Sequence, residues 1–421
     1  MEREEIKKLQ WERLQVTLNR AFLRVGHYRK MFEERGIEPQ DIRSLEDLSI
    51  LPFTTREDLT GGDPYQMFAV PLRDIVRLHV TKGRKGEPIV VGFTSHDLDI
   101  WTELSQYTLC MAGIGREDVI QITFPFSMSS AALGFQYGAE KLGAAVIPYW
   151  DTEVSRGIEV MEEYRATCLI TLPSYFSQVF EKAKKGEVKL SSLSLKKVLL
   201  YGEPFYTSER DEWEELLEVK IIDTYGLTEI FPPGIACECL AREGMHVFEE
   251  HLLIEIVDPT TGKVLPSGET GELVITTLTK EGVPLIRYRT GDITSIITEK
   301  CSCGSDLVRI ERIKGRTDNT IVVEGIRISA EEVEDFLSNF KKLSLRYQLI
   351  VERKEGKDSL SVKVELPPGA DITSFRAIEK TSSEAEEKFM ERTGIPVKFH
   401  LLEPGGLGEK YPLIIDKRKR S

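Results

Sequence analysis

Hydrophobic and polar residues recur along this chain with periods that change from region to region. In the first 60 residues, Leu14, Leu18, Phe22 and Val25 recur every three to four positions among polar neighbours. This period places apolar side chains on one face of a helix, so the region predicts helix and turns. We interpret it as a helical lead-in to the fold.

Between residues 75 and 200, short apolar runs alternate with longer helical patterns. Val119–Phe124, Cys168–Leu172 and Val198–Tyr201 are typical of buried strands, whereas Ser130–Leu142 is typical of a helix. Such alternation predicts a parallel sheet covered by helices on both faces. The predicted fold class is therefore α/β.

The pattern becomes β-like over residues 252–297, which predicts a smaller β layer. The last hundred residues then predict a compact α+β unit. Ser329 and Glu332 have the spacing of a helix capping box, and a second helix is predicted near 372–393. The predicted domains are residues 1–317 and residues 318–421.

Length and charge exclude several classes of protein. The 421 residues exceed one ordinary domain, and 41% hydrophobic with 30% charged residues is typical of folded proteins. The net charge of −13 repels polyanions, so we expect no nucleic-acid partner. No apolar run approaches the roughly 18–20 residues that cross a bilayer, and the acidic start differs from a signal peptide. We therefore expect no membrane association and a cytoplasmic location.

Two polar loops, residues 201–204 and 223–229, follow predicted parallel strands. Ligands of parallel sheets usually bind at the carboxyl ends of the strands. The second loop ends with the Thr228 hydroxyl and the Glu229 carboxylate, which together suit a phosphate and its Mg²⁺. The alternative is an ordinary turn with a helix cap.

A basic turn at residues 81–88 separates two other strand patterns, and we name it the basic loop. Gly83 and Gly86 would let backbone N–H groups approach a phosphate, while Arg84 and Lys85 add positive charge. The spacing differs from a Walker A sequence. The alternative is an exposed hairpin turn.

Cys237, Cys239, His246, Cys301 and Cys303 supply enough ligands for a closed tetrahedral zinc site. We prefer the set without Cys237, because a turn could separate Cys237 from Cys239. Four protein ligands leave no open position, which indicates a structural metal. The alternative is a group of buried free cysteines.

Two more polar turns follow β-like runs, at residues 288–292 and 312–318. Asp292 could accept two hydrogen bonds from a ribose diol. Asp318, at the start of the predicted small domain, is plausible as a hinge.

In chain order, these segments resemble the adenylate-forming superfamily, most closely its phenylacetate–CoA ligase branch. The resemblance runs from about Tyr28 to Arg418. It is most specific at Gly-Glu-Pro (202–204), Tyr-Gly-Leu-Thr-Glu (225–229), Pro-Leu-Ile-Arg-Tyr-Arg-Thr-Gly-Asp (284–292), Cys-Ser-Cys-Gly (301–304) and Gly-Arg-Thr-Asp (315–318). It implies an α/β fold with a large N-terminal adenylate-forming domain, containing parallel sheets and a β layer, and a small mobile α+β C-terminal lid.

The resemblance implies an ATP-dependent acid–CoA ligase that acts on an aryl or arylacetic acid through an acyl-adenylate. Its partners would be a small carboxylic acid, ATP with Mg²⁺, CoA and a second copy of the chain in a homodimer. Two alternatives remain. One is an adenylyltransferase that acts on an acidic cofactor without CoA, and the other is a non-catalytic nucleotide-binding homologue.

Matching positions imply the site residues. The nucleotide-binding set is Gly83, Arg84, Lys85, Gly86, Gly202, Glu203, Pro204, Asp223, Tyr225, Gly226, Asp292 and Arg309, with Arg312 as an alternative to Arg309. The catalytic set is Lys410, Thr228 at the α-phosphate and Glu229 on Mg²⁺. Lys410 lies six residues before Asp416, in the register of the family's catalytic lysine. The hinge is Asp318, and the acyl pocket is Phe124, Phe126, Tyr137 and Gly138.

Two segments depart from the family pattern. The family's phosphate loop typically reads Ser-Ser-Gly-Thr-Thr-Gly-Lys-Pro, whereas here Arg84 and Lys85 replace the central hydroxyl residues. Phosphates would then be held by side-chain charge, or ATP use would be impaired. Residues 124–132 replace a glycine-rich aromatic loop, which leaves the identity of the acid open.

Overall fold

The computed structural model describes residues 2–82, 87–125, 129–150, 153–367, 369, 375–408 and 410–418. Its α-helices are α1 (Arg3–Arg24), α2 (Gly26–Arg35), α3 (Ser95–Met111), α4 (Ser129–Leu142), α5 (Val154–Glu163), α6 (Pro173–Lys184), α7 (Thr207–Leu217), α8 (Ala330–Phe340) and α9 (Phe375–Thr393). Short 3-10 turns occupy Pro39–Asp41, Glu46–Ile50, Glu57–Leu59, Leu72–Asp74 and Leu190–Ser192.

The strands follow the same chain order. They are β1 (Arg77–Lys82), β2 (Pro88–Phe93), β3 (Val119–Thr123), β4 (Ala145–Pro148), β5 (Cys168–Thr171), β6 (Lys197–Tyr201), β7 (Lys220–Tyr225), β8 (Ala236–Glu238), β9 (Met245–Val247), β10 (Leu252–Val257), β11 (Gly271–Thr277), β12 (Tyr288–Thr294), β13 (Ile296–Ile297), β14 (Arg309–Ile310), β15 (Gly315–Arg316), β16 (Thr320–Val323), β17 (Ile326–Ser329), β18 (Tyr347–Lys354), β19 (Lys357–Glu365), β20 (Val397–Leu402) and β21 (Ile414–Asp416).

The chain divides into two compact units. Unit 1 comprises Met1–Thr171, Ser191–Gly202 and Val219–Thr317, and unit 2 comprises Leu172–Leu190, Glu203–Glu218 and Asp318–Ser421. Unit 2 thus contains α6 and α7 as well as the segment that begins at Asp318. The predicted two-domain division at residues 317 and 318 stays a prediction.

A large mixed sheet in unit 1 positions the two polar loops. Its strand order is β13-β14-β9-β8-β7-β6-β5-β3-β4, and β7, β6, β5, β3 and β4 are parallel. The central strands β3, β5 and β6 are almost wholly buried, as expected when both faces are covered. The predicted α/β fold class is confirmed.

Two further sheets of unit 1 are antiparallel. β10, β11, β12 and β15 make a four-stranded sheet, which is the predicted β layer. β1 and β2 pair on either side of the basic loop, and residues 83–86 of that loop lie outside the described residues. The helical lead-in is confirmed by α1 and α2.

Unit 2 has its own sheet, in the order β20-β19-β18-β21, and a separate hairpin of β16 and β17. Its core contains Val333 on α8, Leu349 on β18 and Phe389 on α9. The Ser329 hydroxyl accepts a hydrogen bond from the Glu332 N–H at 3.0 Å, as the predicted cap requires.

Within the described parts of the chain, none of the helices has both the length and the apolar character needed to cross a membrane.

Candidate active site

The two polar loops meet at the carboxyl ends of neighbouring parallel strands. β6 ends at Tyr201 and β7 at Tyr225, and the strands pair in register. The Tyr201 hydroxyl donates to the Gly226 carbonyl at 2.9 Å. Gly202 takes a φ of 84°, which favours glycine. Long-range pairing therefore brings together loops that are separate in the sequence.

Asp292 lies beside the second loop, as the resemblance implies. Its carboxylate is buried and accepts a hydrogen bond from the Tyr225 hydroxyl at 2.6 Å. Arg316 on the neighbouring strand β15 forms an ion pair with the same carboxylate and donates to the Thr290 carbonyl at 3.1 Å. The sequence analysis gave Arg316 no role of its own, although its position in the Gly-Arg-Thr-Asp motif (315–318) could have indicated one.

Thr228 and Glu229 each have a partner from a distant segment. The Thr228 and Ser130 hydroxyl oxygens lie 3.4 Å apart, so α4 supplies a second hydroxyl beside the predicted phosphate contact. The Glu229 carboxylate is buried and forms an ion pair with Arg56 at 2.7 Å. We find no local sequence signal that would have identified Ser130 or Arg56.

The two candidate arginines have different surroundings. The Arg312 Nε donates to the Asp223 carboxylate at 2.9 Å. Arg309 instead belongs to β14, separated from β7 by β8 and β9, and its guanidinium binds the Glu243 and Glu299 carbonyls. Arg312, rather than Arg309, thus contacts a predicted nucleotide residue, and the nucleotide role of either arginine stays a prediction.

The Gly-Glu-Pro segment mixes exposed and buried residues. Gly202 and Pro204 are exposed, whereas Glu203 is buried. Within unit 2, the Glu203 carboxylate accepts hydrogen bonds from the Ser174 N–H at 2.8 Å and the Gly325 N–H at 2.6 Å. Burial, with Asp358 nearby, raises the pKa of Glu203 above its ordinary value. The Glu203 side chain is thus held by backbone donors of its own unit.

The predicted acyl-pocket residues do not share one environment. Phe124 has no exposed surface and stacks on Phe135 with ring centroids 5.9 Å apart. A Cβ on Gly138 would lie 2.6 Å from the Ser105 backbone, so this glycine permits close packing of α3 and α4. Both residues pack in the core of unit 1, and their place in the acyl pocket stays a prediction. Tyr137 accepts a hydrogen bond from Arg77 at 3.1 Å. Phe126 lies outside the described residues.

The remaining catalytic and hinge predictions concern unit 2. Lys410 is exposed, and it follows a turn held by hydrogen bonds from the Gly405 and Leu407 N–H groups to the Glu365 carboxylate, each at 3.0 Å. The Asp318 carboxylate accepts from the Thr320 N–H at 3.2 Å. Both roles stay predictions.

Four predicted metal ligands come together in unit 1. The ligand atoms of Cys239, His246, Cys301 and Cys303 all lie within 4.8 Å of one another. The Cys239 and Cys301 sulfurs are 3.7 Å apart, and the Cys303 sulfur is 3.5 Å from the His246 Nε2. Zinc bonds of about 2.3 Å to sulfur and 2.0–2.1 Å to nitrogen give tetrahedral edges of roughly 3.8 and 3.5 Å. The donor set therefore fits a tetrahedral metal ion.

The surroundings of this cluster also suit metal binding. Burial, with the Arg309 guanidinium nearby, lowers the pKa of His246 to about 4, which keeps the imidazole neutral as a metal ligand must be. Cys237 lies outside the cluster, and its sulfur is 3.5 Å from the Thr108 carbonyl. The preferred ligand set agrees with this geometry.

Comparisons with known proteins show which family the chain belongs to. Residues 93–279 match the AMP-binding enzyme family, and residues 325–418 match the AMP-binding enzyme C-terminal domain. The chain is 34% identical to a phenylacetate–coenzyme A ligase of Aromatoleum evansii, over 99% of this chain and 96% of the relative. It is 35% identical to the Thermus thermophilus enzyme of that name, over 99% and 98%.

A solved structure of similar fold is 2-hydroxyisobutyryl-CoA ligase in complex with 2-HIB-AMP and CoA. The TM-score is 0.90 at 24% identity, over 99% of this chain and 90% of that chain. At this identity the likeness shows the fold alone.

Proposed function

The chain belongs to the AMP-binding enzyme family, and we propose that it is an ATP-dependent ligase that converts an aryl or arylacetic acid into its CoA thioester. The observation that carries the proposal is identity of about one third, over nearly the whole chain, to phenylacetate–coenzyme A ligases. The clustering of Tyr225, Asp292 and Thr228 at the strand ends supports it.

The reaction has two steps. In the first, a carboxylate oxygen of the acid attacks the α-phosphorus of ATP, and pyrophosphate leaves with the electron pair of the broken P–O bond. In the second, the CoA thiol gives its proton to solvent, its sulfur attacks the acyl carbon, and AMP leaves with the electron pair of the broken C–O bond. Each step builds charge that a preorganised site must stabilise.

We assign the nucleotide to the loops at the strand ends of unit 1. Asp292 would accept hydrogen bonds from the ribose hydroxyls, Tyr225 would lie against the adenine, and the Thr228 hydroxyl would contact the α-phosphate. The Glu229 carboxylate offers the hard oxygen donor that Mg²⁺ prefers, and bound Mg²⁺ would neutralise phosphate charge. Arg84 and Lys85 of the basic loop would add positive charge at the phosphates.

We propose that residues 318–421 form a mobile lid, which takes one orientation for adenylation and another for thioester formation. Lys410 would neutralise charge at the α-phosphate during adenylation, and rotation about Asp318 would then open the site for CoA. The exposure of Lys410 supports this role, because an unburied ammonium group is accessible to a polyanion.

We assign a structural Zn²⁺ to Cys239, His246, Cys301 and Cys303. Distances that match a tetrahedral edge support the assignment. Purified protein should carry about one zinc ion per chain by mass spectrometry of metals. Metal-free protein that retains native stability would contradict the assignment.

Acid-dependent exchange of radiolabelled pyrophosphate into ATP tests the activity. Phenylacetate and benzoate should support exchange, with 2-hydroxyisobutyrate as the non-aromatic comparison. Added CoA should then convert the adenylate into a thioester detectable by mass spectrometry. Exchange without thioester would favour the adenylyltransferase, and ATP binding without exchange would favour a non-catalytic homologue.

We also retain the homodimer and the cytoplasmic location as parts of the proposal. Light scattering at micromolar concentration should give twice the chain mass, and cell fractionation should recover the protein with the cytoplasm. A monomer, or recovery in another fraction, would contradict the respective statement.

A further inference from the structure

Lys280 is buried in unit 1 beneath the segment that carries Thr228 and Glu229. Its side chain has no exposed surface. The ammonium Nζ donates to the Glu229 carbonyl at 2.9 Å and to the Ile230 carbonyl at 2.6 Å. Thus one distant lysine binds the backbone directly after the predicted phosphate and Mg²⁺ contacts.

The local sequence explains why a side chain must supply these hydrogen bonds. Pro232 and Pro233 follow within a few residues, and proline has no N–H to donate. A buried carbonyl without a donor costs roughly 1–3 kcal/mol. Trp101 satisfies another carbonyl of this segment, since its indole N–H donates to the Pro232 carbonyl at 2.5 Å.

The surroundings of Lys280 hold the ammonium group in place. Nζ lies 4.1 Å from the centre of the Phe93 ring and 5.1 Å from that of Phe231, within the range of cation–π contacts. The turn that carries Lys280 is fixed by Asp97, whose carboxylate accepts from the Glu281 N–H at 2.7 Å and the Gly282 N–H at 2.9 Å. Burial lowers the pKa of Lys280 to about 7, and the nearby Asp97 and Glu229 carboxylates oppose this shift.

We propose that Lys280 is a positioning residue for adenylation, which fixes the backbone of residues 229–230 so that the Glu229 carboxylate faces Mg²⁺–ATP correctly. The inference rests on the proposed function. Arg56 restrains the Glu229 carboxylate and Lys280 restrains the Glu229 backbone, so the residue is held at both positions. Partners that orient metal ligands typically contribute about 10–100-fold to affinity or activity.

Lys280→Met tests the proposal, because it keeps most of the side-chain volume and removes the ammonium group. We expect the rate of pyrophosphate exchange to fall roughly 10–100-fold, with the acid KM changed by less than about threefold. Thioester formation from supplied acyl-adenylate should change by less than about threefold, because that step does not need the triphosphate geometry. An unchanged exchange rate in folded Lys280→Met protein would overturn the proposal.

Calorimetry supplies a readout that does not depend on turnover. Lys280→Met should weaken Mg²⁺–ATP binding about tenfold while leaving metal-free ATP binding nearly unchanged. Equal loss in both titrations would overturn the positioning role. If wild-type protein shows no exchange, the proposed function fails, but the two titrations still decide the role of Lys280.

The control is Lys197→Met. Lys197 forms an ion pair with Asp118 at 2.8 Å, at the opposite end of β6 from the candidate site. Loss of this ion pair should lower the free energy of unfolding without changing the ratio of the adenylation rate to the thioester-formation rate. If Lys280→Met does not fold, Asp97→Asn loosens the same turn and should reduce exchange in the same selective way. An equal loss of both half-reactions in folded Asp97→Asn protein would overturn the proposal.

Discussion

Glu324 gives unit 2 a stability that depends on pH. It lies in the turn between β16 and β17 with a φ of 49°, and its carboxylate accepts a hydrogen bond from the Asp358 N–H at 2.9 Å. Burial is the main reason that the pKa of Glu324 rises to about 7, and the nearby Glu203 and Asp358 carboxylates add to the rise. Between pH 4.5 and about 7, Glu324 is therefore protonated in the folded protein but ionised in the unfolded chain.

The sign and size follow from this difference. Below pH 4.5, Glu324 is protonated in both the folded and the unfolded state, so it does not lower the free energy of unfolding. As the pH rises from 4.5 through about 7, the free energy of unfolding falls. One pKa unit corresponds to roughly 1.4 kcal/mol, so the free energy of unfolding falls by at most about 3 kcal/mol over this range. Glu324→Gln removes the charge and keeps an oxygen acceptor, so the variant should avoid most of this loss.

Urea unfolding at pH 5, 6, 7 and 8 measures the effect. Glu324→Gln should be more stable than wild type by up to about 3 kcal/mol at pH 8, and by less than about 1 kcal/mol at pH 5. The control is Glu355→Gln, which removes the same charge from an exposed ion pair with Lys185. If the advantage of Glu324→Gln is the same at pH 5 and pH 8, the reasoning is refuted.

Three further predictions test the nucleotide and metal assignments. Lys410→Ala should slow acyl-adenylate formation by roughly 10²–10³ and leave thioester formation from supplied adenylate intact, and equal loss in single-turnover assays of both steps would contradict the role. Cys301→Ser should lose its metal and lower the Tm relative to Cys110→Ser, which changes an exposed cysteine; an unchanged Tm would count against a structural metal. Arg84→Ala with Lys85→Ala should weaken ATP binding and reduce its salt dependence in calorimetry, and wild-type affinity in this variant would exclude charge-based binding.

Local periodicity and short motifs predicted the features that depend on neighbours in the sequence. The alternation of strands and helices predicted the parallel sheet, and Ser329 followed by Glu332 predicted the start of α8. The cysteine spacing predicted the ligand set Cys239, His246, Cys301 and Cys303, whose ligand atoms the folded chain brings together. These signals lie within a few residues of one another.

Other features depend on contacts that no local pattern encodes. Arg309 and Arg312 are nearly adjacent in the sequence, yet one faces the cysteine cluster and the other faces Asp223. Gly138 belongs to the predicted acyl pocket, but in the structure it lies where α3 and α4 cross, and a Cβ there would be 2.6 Å from the Ser105 backbone. Which strand and which face a residue takes is decided by the sheet register, and a one-residue difference reverses the face.

The acidic groups of the candidate site raise an electrostatic problem that these distant contacts solve. ATP is a polyanion, and three unpaired carboxylates in the candidate site would repel it. Each carboxylate is paired with an arginine from another segment: Asp223 with Arg312, Glu229 with Arg56, and Asp292 with Arg316. Sequence reasoning found the acids because they belong to motifs that would touch the ligand. It named Arg312 and the motif that contains Arg316 without pairing them with these acids, and it missed Arg56, because a counter-charge needs only to be close in space.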